Sequence, residues 1–335
     1  MNYKHVIGID VSKATLDFCL ITENGEIIYS QCLNETKAID KALIEIINAH
    51  QLLKKEVLLC AENTGHYGNK LCESVLIKGY SLWVEDPSQI KLSQGLKRGK
   101  DDKKDAERIA QYAKRFMDKA VLFKASKPIF EHLSYLCSER DLLVGDRAKY
   151  QAQLNDEKGF INKDFYQKKQ SRYKRLIRGL DSAILQIEKQ IERLIREEKE
   201  LKCQLDTVTS IDGIGLQTAI QTIIVTQGFT KFTEARKFAC HVGCAPFKYH
   251  SGSSIRSKNK VSHRANKKLK QLFHMAALSA IRMKGELRDY FLRKVGEGKN
   301  KMTVVNAVRA KLIARIFALI KQNRKYEKIY TNPFV

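Results

Sequence analysis

An aspartate at the end of an apolar segment near the N-terminus most constrains how this chain folds. Residues 6–11 are apolar apart from Gly8 and Asp10, and a second, largely apolar segment at residues 16–21 follows a short turn. Two such segments predict adjacent β-strands, with a carboxylate where the first strand ends. That position is suited to holding a metal ion or a phosphate. The acids that approach Asp10 therefore decide what the chain can do.

The first part of the chain alternates between strand and helix patterns. Glu23-Asn24-Gly25 predicts a hairpin turn between the second and third strands. Three antiparallel strands followed by alternating strands and helices are typical of a ribonuclease H-like fold and also of the actin-like ATPase fold. Both folds place an aspartate at the end of the first strand. Strands are predicted at residues 6–11, 16–21, 27–33, 57–61 and 82–84, and helices at residues 39–49 and 67–78 and after Pro87.

The charge balance points to a polyanionic partner. Lys and Arg number 61 against 37 Asp and Glu, which gives a formal net charge of +24 in 335 residues. Such an excess repels itself unless a polyanion is bound, so nucleic acid is the favoured partner. A ribosomal protein or a membrane-surface protein is the alternative that composition leaves open.

Cysteines and apolar segments indicate the compartment. The eight cysteines are spread along the sequence, and no two of them form a C-x-x-C motif. This pattern is typical of buried thiols in a reducing compartment. Cys240, His241 and Cys244 lack a second pair of zinc ligands at a suitable spacing, so zinc is not favoured. The N-terminus does not have the pattern of a signal peptide, and no apolar run approaches the ~20 residues of a membrane span. We expect a cytoplasmic protein without a membrane partner.

Residues 126–205 change to a helical pattern. Two apolar stripes with heptad-like spacing predict long helices that pair as a coiled coil, within one chain or between chains. Between the stripes, residues 165–178 contain several cations and no acid, with Phe165, Tyr166 and Tyr173 among them. These side chains either form a solvated surface or bind nucleic acid by stacking and charge neutralisation. The candidate nucleic-acid-binding cations here are Lys168, Lys169, Arg172, Lys174 and Arg175.

Residues 206–335 are predicted to form a mainly helical third part. Gly213 and Gly215 precede a helical segment at residues 216–225, so their backbone N–H groups either bind a phosphate or simply form a tight turn. A loop is predicted at residues 249–254, and helices at residues 269–281 and 302–319. An acid-free basic segment lies between loop and helix, with Arg256, Lys258, Lys260, Arg264, Lys267 and Lys268 as candidate nucleic-acid contacts.

Three further acids are candidates to join Asp10. Glu62 follows the predicted strand at residues 57–61, and Asp102 and Asp105 lie three residues apart at a predicted helix start, on one face of that helix. Four carboxylates in this arrangement can hold two Mg²⁺ ions for an in-line displacement at phosphate. The alternative is that Glu62, Asp102 and Asp105 are surface charges. If the acids do bind a metal, Asp101 is a competing candidate ligand.

These residues carry a resemblance to a known family. The segments Gly8-Ile9-Asp10-Val11-Ser12-Lys13, Glu62-Asn63-Thr64-Gly65 and Lys100-Asp101-Asp102-x-x-Asp105-Ala106 resemble motifs of the DEDD transposases of the bacterial insertion sequence one-ten family, which is related to the Piv-type DNA invertases. Residues 211–215, 240–246 and 251–269 resemble later motifs of that family, in the same order. Asp101, Asp212 and Ala265 depart from the usual Thr, Pro and Gly without removing a ligand.

The resemblance implies a RuvC-like domain at residues 1–125, a coiled-coil region at residues 126–205 and a transposase domain with a helix-hairpin-helix-like segment at residues 206–335. It implies that Asp10, Glu62, Asp102 and Asp105 hold Mg²⁺ as catalytic acids and that Ser251 is the nucleophile. Ser253 and Ser254 are close enough in sequence to compete with Ser251. It also implies a DNA recombinase that acts as a dimer or tetramer on donor and target DNA with a structured guide RNA. Lys13 is a further candidate DNA contact.

Three other functions fit parts of the same pattern. A junction-resolving nuclease would use the four acids without a covalent step. An actin-like ATPase or sugar kinase would need a second Asp-Gly phosphate loop, and the sequence offers no convincing one. A non-catalytic coiled-coil RNA-binding protein would leave the four acids far apart, which makes their convergence the decisive observation.

Overall fold

The structure is a computed structural model that describes residues 3–93, 102–247, 250–251, 255–256, 260–261 and 265–327, with the side chains of residues 246–261 outside that description. The chain forms two compact units, Met1–Ala125 and Ser126–Val335. Ser253, Ser254, Asp101, Lys258 and Arg264 lie outside the described residues.

The first unit is built on a five-stranded mixed sheet. Its strand order is β3-β2-β1-β4-β5, with β1, β2 and β3 antiparallel and with β4 and β5 parallel to β1. This confirms the predicted sequence of three antiparallel strands followed by alternating helices and strands. The elements are β1 (His5–Val11), β2 (Thr15–Ile21), β3 (Ile27–Leu33), α1 (Thr36–Ala49), β4 (Val57–Glu62), α2 (Asn69–Lys78), β5 (Ser81–Glu85), α3 (Pro87–Leu92) and α4 (Asp102–Arg115).

The hairpin between β2 and β3 turns where the sequence predicts it. Gly25 has a φ of +87°, a conformation that glycine adopts without steric cost, and its N–H donates to the carbonyl of Thr22. The turn aligns Ile21 with Ile27 and fixes the antiparallel register of the two strands.

Helices cover both faces of the sheet because the strands are apolar on both sides. Ile7 and Ile9 of β1 pack in one core with Ile39 and Leu43 of α1 and with residues of α2. On the opposite face, Cys19 and Ile21 of β2 pack against Ala106 and Ala110 of α4. Successive side chains of a strand point to opposite faces, so the even-numbered residues of β1 face α4.

Gly8 allows α4 to lie directly on the sheet. A Cβ atom at this position would stand 2.3 Å from the carbonyl oxygen of Ala106 and 2.3 Å from the amide nitrogen of Ala110. Real Cβ atoms do not approach backbone atoms so closely, so only glycine permits this spacing between strand and helix. Gly8 and Asp10 are two residues apart and share a face, so the same contact brings the first turn of α4 towards Asp10.

The second unit begins with two long helices that form an antiparallel pair. Arg140 pairs with Glu188, Arg147 with Asp181 and Lys169 with Glu157, so residue numbers fall along one helix as they rise along the other. Apolar side chains from the two predicted stripes, such as Leu133 and Ile187, enter the core of this unit. The helices are α5 (Pro128–Glu157) and α6 (Lys163–Glu197). Whether they supercoil as a coiled coil stays a prediction.

The rest of the second unit is mainly helical, as predicted. Phe238, Phe273 and Ile313, from three different helices, are fully buried in one core. No helix in the described part of the chain is both long and apolar enough to cross a membrane. The elements are α7 (Lys199–Thr209), α8 (Leu216–Thr226), α9 (Ala235–Val242), β6 (Pro246–Phe247), β7 (His250–Ser251), β8 (Ile255–Arg256), β9 (Lys260–Val261), α10 (Lys267–Arg282), α11 (Glu286–Gly296) and α12 (Lys301–Gln322).

The segment between α9 and α10 contains short strands, and one of them, β7, lies within residues 249–254, where the sequence predicts a loop. β6 pairs with β9 and β7 pairs with β8, both antiparallel, and Ser251 lies opposite Ile255. Glycine and serine are as common in hairpin turns as in open loops, so composition did not separate the two.

Candidate functional site

One rung of the sheet in the first unit carries a row of acids. Asp10 of β1 pairs with Asp17 of β2. On the other side, Ile9 is in register with Ala61 of β4, which sets Glu62 beside Asp10, and Glu62 in turn pairs with Glu85 of β5. Paired residues on neighbouring strands share a face of the sheet, so these four carboxylates lie on the face that α4 covers. We call Asp17, Asp10, Glu62 and Glu85 the acidic rung.

Helix α4 adds two carboxylates to this rung. Asp102 and Asp105 lie in its first turn, where the helix dipole favours negative charge. One oxygen from each of Asp10, Asp102 and Asp105 lies within 4.8 Å of the others. Of the residues that the structure describes, these form the one group of three or more His, Cys, Asp or Glu side chains positioned to hold a metal ion. Three of the four predicted ligands are therefore brought together.

Glu62, the fourth predicted ligand, lies in the rung but outside that group of three. It is half-buried at the end of β4, and the negative charges of Asp10 and Asp105 act on it. Burial, followed by these charges and that of Asp86, raises the pKa of the Glu62 carboxyl. Glu62 is thus electrostatically part of the same site.

The electrostatics of Asp10 show how costly this cluster is without a counterion. Burial raises the pKa of Asp10 to about 6, and the charges of Asp105, Asp102 and Asp17 add to the effect. Like charges this close disfavour one another's ionisation, whereas an opposite charge reverses the penalty. Arg108 supplies part of that charge, since it forms an ion pair with Asp105.

The donor set fits a hard divalent cation. All the converging groups are carboxylates, and hard oxygen ligands are those that Mg²⁺ prefers. The partly exposed rim, with Asp102 open to solvent, is suited to an ion that keeps bound water. Cys240, His241 and Cys244 do not form such a group, and burial raises the pKa of the Cys244 thiol to about 11.

Sequence reasoning did not single out Asp17, Glu85 and Asp86. Asp17 is 3% exposed and accepts a hydrogen bond from the Gln31 side chain at 2.9 Å. Glu85 accepts hydrogen bonds from the Tyr112 hydroxyl at 3.1 Å and from the Asp86 amide at 2.7 Å. The sequence does contain one indication of Asp17, because it is the only charged residue in the apolar segment at residues 16–21. The negative charge of Asp17 acts on Asp10, and that of Asp86 acts on Glu62.

The predicted nucleophile lies in the second unit. The backbone of Ser251 belongs to β7 and pairs with β8. The backbones of Arg256 and Lys260 lie in β8 and β9. Two hydrogen bonds anchor the ends of this segment to the helical core. The Asn266 amide donates to the His241 carbonyl at 2.9 Å, and the Asn306 side chain donates to the Cys244 carbonyl at 2.9 Å.

The cations on α6 divide into exposed and paired groups. Lys169 forms an ion pair with Glu157 at 2.6 Å and lies over the ring of Tyr173. The Tyr173 hydroxyl donates to Gln153, so this ring is used in helix packing, whereas Phe165 is 72% exposed. The cations Lys168, Arg172, Lys174 and Arg175 are exposed on the same helix. They form a basic surface, which we call the α6 stripe.

The remaining candidate contacts have mixed environments. Gly213 has a φ of +90°, and a Cβ there would stand 2.7 Å from the Ala276 carbonyl oxygen, so close packing on α10 explains this glycine. Gly215, the residue before α8, has open space around its Cβ position. Lys13 and Lys267 are exposed, while Lys268 forms an ion pair with Asp141 of α5.

Comparison with known proteins gives two family matches in chain order. A model of DEDD transposases of the IS110 type, described as "Transposase", matches residues 7–156, and a model described as "Transposase IS116/IS110/IS902 family" matches residues 205–292. The first match spans the acidic rung and α4, and the second contains Ser251.

Individual relatives match along most of the chain. The pilin gene-inverting protein of Moraxella lacunata is 28% identical over 336 aligned residues, which cover 97% of this chain and 98% of that protein. The transposase for insertion sequence element IS1111A of Coxiella burnetii is 23% identical, with 96% and 91% covered. Among solved structures, Thermus thermophilus RuvC bound to a Holliday junction substrate matches 36% of this chain and 100% of its own, with 12% identity and a TM-score of 0.28.

Proposed function

Because the chain belongs to the IS110 family of insertion-sequence transposases, we propose that it cuts and rejoins DNA by attack of a serine on phosphodiesters, assisted by Mg²⁺. The observation that carries the proposal is the convergence of Asp10, Asp102 and Asp105, whose carboxylate oxygens lie within 4.8 Å of one another. A non-catalytic RNA-binding protein would not require such a costly cluster of like charges.

In this proposal, the first unit has a RuvC-like, ribonuclease H-type fold, and its acids hold the metal. Asp10, Glu62, Asp102 and Asp105 are the ligands. Bound Mg²⁺, one ion or two, would supply charge neutralisation at the phosphate and a lowered pKa for the attacking hydroxyl. Asp17 and Glu85 orient their neighbours in the acidic rung and raise its affinity for a cation.

Ser251 is the proposed nucleophile. Its Oγ loses a proton and forms a bond to the phosphorus of the scissile phosphodiester, while the bond from phosphorus to the leaving strand breaks. The leaving strand gains a proton and departs as a free hydroxyl. The phosphoserine link keeps the energy of the phosphodiester, so a hydroxyl of another strand can attack it, release Ser251 and complete the exchange.

Nucleic-acid contacts are assigned to basic surfaces of the second unit. The α6 stripe and the cations that flank β7–β9 carry charge that is not matched by acids in their own segments. We assign them to donor and target DNA and to a structured guide RNA, with Gly215 at an open helix N-terminus as a further phosphate contact. A dimer or tetramer would supply the two or more active sites that strand exchange requires.

Substitution of the two central groups tests the proposal. Ser251→Ala and Asp10→Asn should each reduce strand exchange between element ends by roughly 10³-fold or more, because each removes a group on which the others depend. Both variants should bind element-end DNA as the unmodified protein does. Asp118→Asn, which changes an exposed acid of the same unit, is the matched control.

Two outcomes would overturn parts of this proposal. A Ser251→Ala protein that still cuts DNA would remove the covalent step and leave a RuvC-like nuclease as the function. An Asp10→Asn protein that still exchanges strands would remove the metal site from the reaction.

A further inference from the structure

An arginine of the second unit is buried without a counterion among the residues that the structure describes. Arg309 of α12 is 7% exposed, and its Nε atom is buried without a hydrogen-bond partner among the described residues. No carboxylate in the described part of the chain forms an ion pair with it. Burying a charge is costly unless it is paired. An anionic ligand bound beside Arg309 would offset that cost.

The sequence around Arg309 contains no acid that could serve. Residues 235–285, which include α9, α10 and everything between them, lack Asp and Glu entirely, and residues 298–326 lack them as well. Asp141 of α5, which contacts α10 through Lys268, is already paired with Lys268 and Arg140. Because this count covers every residue of both ranges, the segment that carries Ser251 cannot supply the missing carboxylate either.

Two basic side chains of α10 accompany Arg309. His274 has a buried Nδ1 atom without a partner among the described residues, and Lys270 lies one turn before it on the same face of α10. The charge of Arg309 acts on His274 and, together with that of Lys270, on the thiol of Cys244. We call Arg309, His274 and Lys270 the Arg309 cluster.

The cluster lies where the serine-bearing segment leaves the helical core. Asn306, one turn before Arg309 on α12, donates to the Cys244 carbonyl, and β6 begins two residues after Cys244. The other end of the segment is held by the bond from Asn266 to the His241 carbonyl. Ser251 is seven residues beyond Cys244, and seven residues of extended chain span at most ~25 Å.

We propose that the Arg309 cluster is a binding site for a phosphodiester of the DNA strand on which Ser251 acts. Arg309 offers up to five N–H donors in a fork that matches two oxygens of one phosphate. Lys270 adds a second positive charge, and the buried Nδ1 atom of His274 is a further hydrogen-bonding group. The inference rests on the proposed function, but its binding component can be measured without DNA cleavage.

Thermal unfolding with inorganic phosphate provides the direct test. The melting temperature of the full chain should rise in phosphate above its value in potassium chloride of equal ionic strength, by roughly 2–3 °C for each tenfold increase in phosphate beyond its Kd. Arg309→Met should lose most of this difference. Lys321→Met removes an exposed cation of the same helix and should keep it, which controls for the general attraction of a basic protein for phosphate.

The stability of the variant without phosphate separates a binding role from a structural one. If Arg309 lacks an internal partner, Arg309→Met should be at least as stable as the unmodified protein in phosphate-free buffer. An Arg309→Met protein that is several degrees less stable, or that does not fold, would overturn the proposal. His274→Gln and Lys270→Met should each reduce the phosphate response, and a full response in both would also overturn it.

Activity and affinity connect the site to the DNA strand. Arg309→Met should lower strand exchange roughly 10- to 100-fold and weaken binding to element-end DNA, whereas Lys321→Met should change neither. Weakened binding only to RNA transcribed from the flanking DNA would assign the cluster to a guide RNA and contradict the proposal. Strand exchange by Ser251→Ala tests the proposed function, whereas the phosphate response tests the Arg309 cluster. The two results are independent, since the phosphate response does not depend on that serine.

Discussion

The two units of this chain concentrate opposite charges, and in both the concentration is unfavourable by itself. The first unit places Asp17, Asp10, Glu62 and Glu85 on one rung of a sheet and brings Asp102 and Asp105 towards it. The second unit has long stretches without any acid, and in one of them Arg309 is buried. We propose that each arrangement becomes favourable when a ligand of opposite charge binds.

The sign of the concentrated charge indicates which class of ligand each unit would bind. Crowded carboxylates call for a hard cation, whereas a buried guanidinium with a neighbouring imidazole and ammonium calls for an oxyanion. A phosphodiester reaction assisted by Mg²⁺ uses both. Functional sites commonly lower the stability of the free protein, and in our proposal ligand binding restores it here.

The largest expected effect comes from breaking the contact that assembles the acids. Gly8→Ala would place a Cβ 2.3 Å from backbone atoms of α4 and force the helix away from β1. We expect a loss of about 3 kcal/mol or more in the free energy of unfolding, together with the loss of stabilisation by Mg²⁺. Urea denaturation with and without Mg²⁺ measures both quantities.

Gly68→Ala is the matched control for this prediction. Its φ is −78°, and the nearest side-chain atom, Thr64 Oγ1, is 3.6 Å from the added Cβ, so the change should be tolerated. Equal stability of the Gly8→Ala and Gly68→Ala proteins would mean that α4 does not need its close position on the sheet.

Much of this arrangement was predictable from the sequence. The strands, their order and the early helices follow from periodicity and turn residues, because those signals are local. The convergence of Asp10 with Asp102 and Asp105 was predicted from the ends of elements and from spacing on a helix. Their resemblance to a transposase family pointed to the same acids.

The rest depended on contacts that no local pattern encodes. Asp17 joins the rung through the antiparallel register of β1 and β2, and Glu85 through the parallel register of β4 and β5. Gly213 has the sequence pattern of a phosphate-binding turn, yet its close contact with α10 accounts for it. The burial of Arg309 could not be predicted from the sequence, because a lone arginine on an amphipathic helix is ordinarily exposed.

A smaller effect concerns pH. The folded-state pKa of Asp10 is raised to about 6, above the value of ~3.9 for an unfolded chain. The native protein therefore binds more protons than the unfolded chain between about pH 4 and pH 6, and its stability in EDTA should fall as pH rises through that window. Added Mg²⁺ should reverse the trend above pH 6, where the ionised carboxyl is available to bind it.

Asp10→Asn tests the origin of this pH dependence. In EDTA at pH 7, the variant should be more stable than the unmodified protein by roughly 0.5–2 kcal/mol, since one of the crowded charges is gone. It should also lose most of the fall in stability between pH 4 and pH 6. Melting curves across pH measure this, and a destabilised Asp10→Asn protein would show that the rung is not under electrostatic strain.

The smallest effect distinguishes exposed from paired cations on α6. Lys174→Met should reduce the slope of log affinity against log salt for duplex DNA by about 0.9, the value for one lost phosphate contact. Lys169→Met should leave the slope nearly unchanged, because Lys169 is already paired with Glu157. Filter binding over a range of salt concentrations measures both slopes, and a slope in Lys174→Met equal to that of the unmodified protein would remove Lys174 of the α6 stripe from the DNA-binding surface.

Detection of a covalent link between protein and DNA tests the central claim most directly. Element-end DNA is incubated with the protein and Mg²⁺, the reaction is stopped by denaturation, and the linked peptide is identified by mass spectrometry. The account predicts a DNA strand joined to Ser251, and no link in Asp10→Asn or in EDTA. Cut strands without any protein attached, or a link to a different residue, would contradict it.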